Sequence, residues 1–401
     1  MKVNALIIVF FFLCSSLFFG LSAVAYAPIE NALCVLLLVI LSLAPKRDFY
    51  YNKFIYAFLF FILVSCISSN IFHQQGVLNT FLASSTMVQV LFVYVLLLLK
   101  KSYKTTLKAF IILCVVYSCC YTIQYLVYPR VLFLSANSVN CGSQFRMRLP
   151  CSLLTYVGTF LGVNLFLTKR KVRYIFFSLM CFFPILMMNF RSLIVATIVC
   201  VFCMVPFVLK RVTKTIIFFI CLSVMIGLSI TFIPIVQHKV GEMVERQKKG
   251  DTIDNEDYVR NVCFFYYLEN TSIYDKILGG GKPDGKSLYS KQMKMLEEEN
   301  GFYTADLGLI GLTFLIGLGS VIALICLYVT CIRRCRSENL QYIRFSMLAV
   351  LVASIYTSME VFRAGNFLVL ALLLYMEWTY NKEQRMLKGQ DALHPVVAKL
   401  N

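Results

Sequence analysis

The sequence predicts an all-α, polytopic membrane protein with about 12 transmembrane helices and one long loop on the outer side. Three observations carry that expectation. Of 401 residues, 59% are hydrophobic and only 14% charged, where soluble domains run near half apolar and about a quarter charged. Apolar runs recur at the length of roughly 20 residues that a bilayer requires. Finally, the formal charge of +18 gathers on one face of the resulting topology, which is the signature of cytoplasmic loops.

Taken along the chain, apolar windows place spans at 5–26, 28–44, 54–72, 82–99, 109–128, 150–168, 174–189, 191–209, 215–236, 303–329, 345–362 and 366–380. The first reads as a span and not a cleaved leader, because Pro28 leads straight into a second apolar run. With the N-terminus inside, the inner segments are Lys2, 45–53, 100–108, 169–173, 210–214, 333–344 and the tail from Lys382. Counting Glu377 with them, they hold 23 Lys+Arg against 5 acids, and the outer segments 15 against 15. The basic balance is therefore a topology signal and not an affinity for nucleic acid. Four regions follow: residues 1–236 with nine spans, 237–302 as a lid loop, 303–380 with three spans, and 381–401 as a basic cytoplasmic tail.

The 66-residue lid is the only long connection, and long loops in compact chains are usually functional or disordered. Two helices are expected in it. One covers 235–250, with apolar residues at helical spacing. The other covers 256–270 behind a capping Asp254, with its aromatic residues at the membrane interface. Most of the 16 cysteines lie in apolar runs and act as small hydrophobes. A disulfide among Cys141, Cys151 and Cys263, on the outer side, is left open. The acidic cluster Asp251, Asp254, Glu256 and Asp257 lacks the spacing of a Ca²⁺ loop. No metal or cofactor is expected.

Ionisable groups in mid-bilayer mark ion and proton pathways. Here Glu30, Arg191, Asp306, Glu360 and Arg363 fall near outer helix ends and Glu377 near an inner one. That distribution argues against a pump, and it moves any chemistry to the outer face. No nucleotide is available there, so an enzyme must draw on an activated substrate such as a lipid-linked diphosphate. Guanidinium groups suit it, because they bind phosphate oxygens at two points and stay charged. Arg130, Arg146 and Arg148 lie in the loop 129–150, Arg191 opens a span, and Arg260 lies in the second lid helix. Each also has a plainer reading: Arg130 as a headgroup anchor, Arg146 and Arg148 as a solvated loop edge, Arg260 as a partner of Asp257 or Glu256.

Four stretches in order, 146-RMRLPCSLLTYVGTFLG-162, 190-FRSLIVATIV-199, 254-DNEDYVRNVCFFYYLEN-270 with 277-ILGGGKPDG-285, and 298-EENGFYTADLGLIGL-312, resemble the bacterial O-antigen polymerase and O-antigen ligase families. The resemblance implies a metal-independent glycosyltransferase of the bacterial inner membrane with a periplasmic lid. Its substrate would be an undecaprenyl-diphosphate-linked glycan, its surroundings membrane lipids, and its protein partners a chain-length regulator and a flippase. It would place Arg191, Arg260 and Glu299 in catalysis, and Arg146, Arg148, Asn300, Gly279 and Gly281 on the substrate. Ligases use a lid histidine as candidate base; here the outer histidines are His73 and His238, and none directly precedes Asn300. The polymerase is therefore favoured over the ligase, with Glu298, Glu299 and Asp306 as candidate bases. The run 297–299 also reads as a solvated face, and Gly279 to Gly281 as an ordinary turn. A flippase is the rival from another class, but it would carry charge through the depth of the bilayer.

Overall fold

Apolar length and helix signals translate directly into helices in the computed structural model, which describes residues 34–41, 49–130, 132–133, 137–141, 144–188, 190–210, 241, 259–355 and 365–397. The expected spans at 5–26 and 215–236, the first lid helix and the acidic cluster lie outside these residues. Residues 34–41 are helical within the second expected span. There follow α1 (Asn52–His73), α2 (Val77–Ala83), α3 (Ser85–Leu99) and α4 (Tyr103–Val127). A hairpin of β1 (Asn137–Cys141) and β2 (Gln144–Arg148) precedes α5 (Leu153–Lys169), α6 (Arg173–Met188) and α7 (Arg191–Leu209). The lid supplies α8 (Val259–Asn270), α9 (Ile273–Leu278) and α10 (Leu288–Asn300). The chain then runs through α11 (Gly308–Arg334), α12 (Gln341–Ser354) and α13 (Asn366–Val397).

Among the described residues, α1, α4, α7 and α11 are each long and apolar enough to cross a membrane, and α2 with α3 forms an apolar pair bent by 60°, either a broken span or a re-entrant loop. These mark a membrane protein. The pattern of α1 shows why it packs as it does. Ile55, Phe58, Ile62, Cys66 and Ser69 recur at helical spacing and are buried, while Phe60, Leu63, Ile67 and Ile71 on the other side are exposed. Such an apolar outer face suits lipid tails and would be a liability in water. At the other end of the molecule, α13 buries Glu377 completely, and Tyr50, Tyr51 and Asn381 all donate to its carboxylate. Arg334 stacks over the Tyr50 ring at 3.6 Å. A carboxylate is tolerable there because its oxygens are satisfied.

Two local features depart from a simple bundle. The segment expected as a loop contains the antiparallel hairpin, in which Val139 faces Arg146 and Asn137 faces Arg148. The two residues between the strands are Gly142 and Ser143, a pair that signals a hairpin. Tyr121 donates to the Met147 carbonyl at 3.0 Å and Tyr117 to that of Leu149 at 3.2 Å, which ties this region to α4. The second feature is a break inside α11 at Gly317, whose φ of 78° and ψ of 157° are not helical.

Candidate functional site at the docked lid

The break in α11 organises the site. Carbonyls beside an interrupted helix need other donors when no water reaches them. Here those of Phe314 and Leu315 accept from Gly280 and Gly281 N–H, both at 2.8 Å. The glycine run thus fills the break. A Cβ on Gly281 would collide with Ser69 and Thr80, and one on Gly317 would lie 2.5 Å from the Leu278 carbonyl oxygen. Glycine lets the lid backbone come this close.

Just outside the break, α1 ends and its last residue meets the lid. His73 Nε2 lies 3.0 Å from Asp275 Oδ1, and the imidazole stacks on Tyr289 with centroids 4.3 Å apart. Asp275 stands in the first turn of α9, where Ser272 caps the helix by accepting from Asp275 N–H. The two side chains are 22% and 9% exposed, so the histidine keeps an open edge while the carboxylate is enclosed. Gly280 sits against both rings: a Cβ there would lie 2.9 Å from the Tyr289 hydroxyl and 3.2 Å from His73 Nε2.

These residues line a cavity of about 160 Å³, together with Tyr266, Tyr267, Asn270, Gln292 and Phe314. It is smaller than the roughly 300–1,000 Å³ of clefts for drug-sized ligands, and suits one ring of a substrate. Burial raises the phenols of Tyr267 and Tyr289 far above their ordinary range; next in weight come Cys263 for the first and Asp275 for the second. Both therefore remain neutral and able to donate. Burial also pushes the Cys263 thiol up to about 12, helped by Asp306. Cys263 is a free thiol.

A second anchor holds the lid beside the cavity. The buried Gln75 amide donates to Thr80 Oγ1 at 2.7 Å and to the Lys282 carbonyl at 2.9 Å. Its oxygen accepts from Ser287 Oγ at 2.7 Å and from Asp284 N–H at 3.2 Å. Ser290 Oγ and the backbone N–H groups of Lys286 and Ser287 all donate to Asp284 Oδ1. Partial burial pushes that carboxyl up, but these hydrogen bonds outweigh it and hold the pKa at about 2.

The residues singled out from sequence fall in several places. Gly279 and Gly281 flank the cavity, with their N–H groups on the carbonyls of Asp275 and Leu315. Glu299 and Asn300 end α10, exposed, one turn beyond the cavity-lining face of Tyr289, Gln292, Met293 and Leu296. Burial, then Glu298 and Asp306, raises the pKa of their neighbour Glu297. Arg260 is half-buried in α8 and does not line the cavity. Arg191 is the first residue of α7, and Arg146 and Arg148 belong to β2. The sequence reading passed over Asp275, Tyr289 and Gln75. His73 was noted as an outer histidine only, and nothing local tied it to a carboxylate 202 positions away. Among the described residues, no group of three or more His, Cys, Asp or Glu side chains converges to hold a metal ion. No protein-family model and no curated protein matches the chain.

Proposed function

We propose that this chain is an O-antigen polymerase: a membrane glycosyltransferase of about 12 spans in a bacterial inner membrane, both termini cytoplasmic. It joins undecaprenyl-diphosphate-linked repeat units at the periplasmic face. The observation that carries the reading is the His73–Asp275 pair in an aromatic-lined cavity, placed where a lid docks into a broken membrane helix. Aromatic faces suit a sugar ring, and a positioned imidazole is the commonest general base.

In this reading Asp275 accepts from His73 Nε2–H and leaves Nδ1 free to take the proton of an acceptor hydroxyl. The acceptor oxygen then bonds to the donor's anomeric carbon as the bond to the phosphate oxygen breaks, and undecaprenyl diphosphate leaves. Asp275 stabilises the imidazolium that forms, as a carboxylate does for a catalytic histidine elsewhere. Arg191 and Arg260 meet charge on the departing diphosphate, and Arg146 and Arg148 hold the glycan donor. His73 takes the base role in place of Glu299, which is exposed beyond the cavity. The free energy resides in the lipid diphosphate, so neither nucleotide nor metal enters.

The test is the surface-polysaccharide ladder in cells carrying His73→Ala or Asp275→Asn at matched protein level. Loss of a general base lowers rate by about 10²–10⁴, so core bearing a single repeat unit is expected. A wild-type ladder from His73→Ala would sink the proposal. One observation favours the ligase as second reading: α1 brings to the lid the histidine that the lid's own sequence lacks near Asn300. In that case free lipid-linked polymer accumulates instead.

A further inference from the structure

On the opposite side of the molecule, a second cavity of about 420 Å³ lies between the end of α7 and the start of α12. Phe207, Lys210, Arg336, Glu338, Gln341 and Arg344 line it. Three cations face one acid, and that acid is committed to an ion pair with Lys210. The half-buried Arg344 lies over the rings of Phe207 at 5.1 Å and Phe345 at 5.6 Å. Neither Arg344 nor Arg336 has a carboxylate partner among the described residues. Aromatic faces orient a guanidinium without using its N–H donors, so the fork remains free for an anion.

The walls are built and not draped. Gln341 is 2% exposed, and its Nε2 donates to the carbonyls of Cys335 at 3.2 Å, Arg336 at 3.0 Å and Ser337 at 3.1 Å. Ser337 Oγ lies 2.8 Å from the Tyr380 hydroxyl, and Asn339 donates to it at 3.0 Å, which pins the loop to α13. These contacts fix the Gln341 amide with its nitrogen toward the loop. Its oxygen is buried and has no partner among the described residues.

We infer that this cavity binds a phosphate, and that its source is the phosphate headgroup of an anionic lipid in the inner leaflet. The phosphate chemistry follows from Arg336 and Arg344, which have no carboxylate partner among the described residues. The lipid source follows from position: α7 and α12 meet at the end that the charge asymmetry assigns to the cytoplasm, and Phe207 at the rim is 50% exposed. Basic pockets between membrane helices on that side recognise acidic headgroups. The inference stands apart from glycosyl transfer and rests only on the orientation.

Native mass spectrometry of the full-length protein in detergent tests it, with phosphatidylglycerol titrated against phosphatidylcholine. Phosphatidylglycerol is expected to bind in preference. Arg344→Gln and Arg336→Gln should each weaken it about fivefold, while Lys294→Gln, in the exposed lid helix, leaves it unchanged. Arg336 is exposed in a loop, so its variant keeps the test informative if Arg344→Gln fails to fold. Displacement of the lipid by inorganic phosphate would keep the phosphate site but assign it to a soluble ligand, overturning the lipid source. Equal binding of the two lipids, or of wild type and both arginine variants, would overturn the site itself.

Discussion

At the scale of single residues, two glycines separate the fold from the chemistry. Gly317 holds a left-handed φ of 78°, and a Cβ there meets the Leu278 carbonyl at 2.5 Å. Gly317→Ala adds about 1–3 kcal/mol of backbone strain to that clash, so both thermal stability and polymer formation should fall. Gly280 has no such φ, and the atoms nearest to its Cβ would be the Tyr289 hydroxyl, His73 Nε2 and the Phe314 carbonyl. Gly280→Ala is therefore expected to keep most of the stability while displacing the imidazole, lowering polymer output at normal protein level. Gly285→Ala is the control, with a φ of 82° but open space around it. Melting curves and polysaccharide ladders of the three variants check the order. Equal melting loss from Gly280→Ala and Gly317→Ala would mean that Gly280 serves packing alone.

At the scale of elements, the lid is held at the α1–α2 corner as well as in the α11 break. One small cluster, Cys263, Tyr267, Leu307 and Phe314, lies under α8, whereas Gln75 bridges α2, the loop 282–284 and the start of α10. Gln75→Ala leaves buried partners unmatched at about 1–3 kcal/mol, and amide exchange across 284–290 should accelerate with little change in α4 or α12. The same turn gives a pH dependence. The Asp284 pKa lies below its ordinary 3.8, at about 2, so its contribution is whole above that ordinary value and is lost as pH falls towards about 2. Exchange in 284–290 should rise over that window, and Asp284→Asn should remove the effect. Protection that is unchanged in both variants would place the anchor elsewhere.

At the scale of the whole molecule, both proposals depend on the orientation that the partition of charge predicts. Twenty-three Lys+Arg on one side against a neutral other side predict cysteine accessibility from inside near residues 105, 171 and 338, and from outside near 75, 140 and 285. Residues 75 and 285 belong to structures joined by Gln75 and Asp284, so they must report the same side. An inside signal at both would invert the molecule and move the His73 cavity away from the lipid-linked donor. The two cavities then exchange faces, and with them the proposals that rest on each.

Element identity was legible because it is a local property. Apolar length marked α1, α4 and α7 to within a few residues, and the aromatic run from Phe264 to Tyr267 marked α8. The Gly142-Ser143 pair announced the hairpin as well, although charge in 129–150 drew the reading to its arginines. The site was less legible. Three glycines at 279–281 signal close approach, but the surface they approach is a helix break 36 residues further on, at Gly317. His73 and Asp275 are each unremarkable in their own segments, one ending a span and the other opening a short helix. Composition and periodicity report what a segment does with its own backbone and with the bilayer, so the sequence alone determined the helices and their apolar faces. Only the tertiary structure decided which helix end meets which lid turn, because a hydrogen bond across 202 positions leaves no periodic trace in either segment.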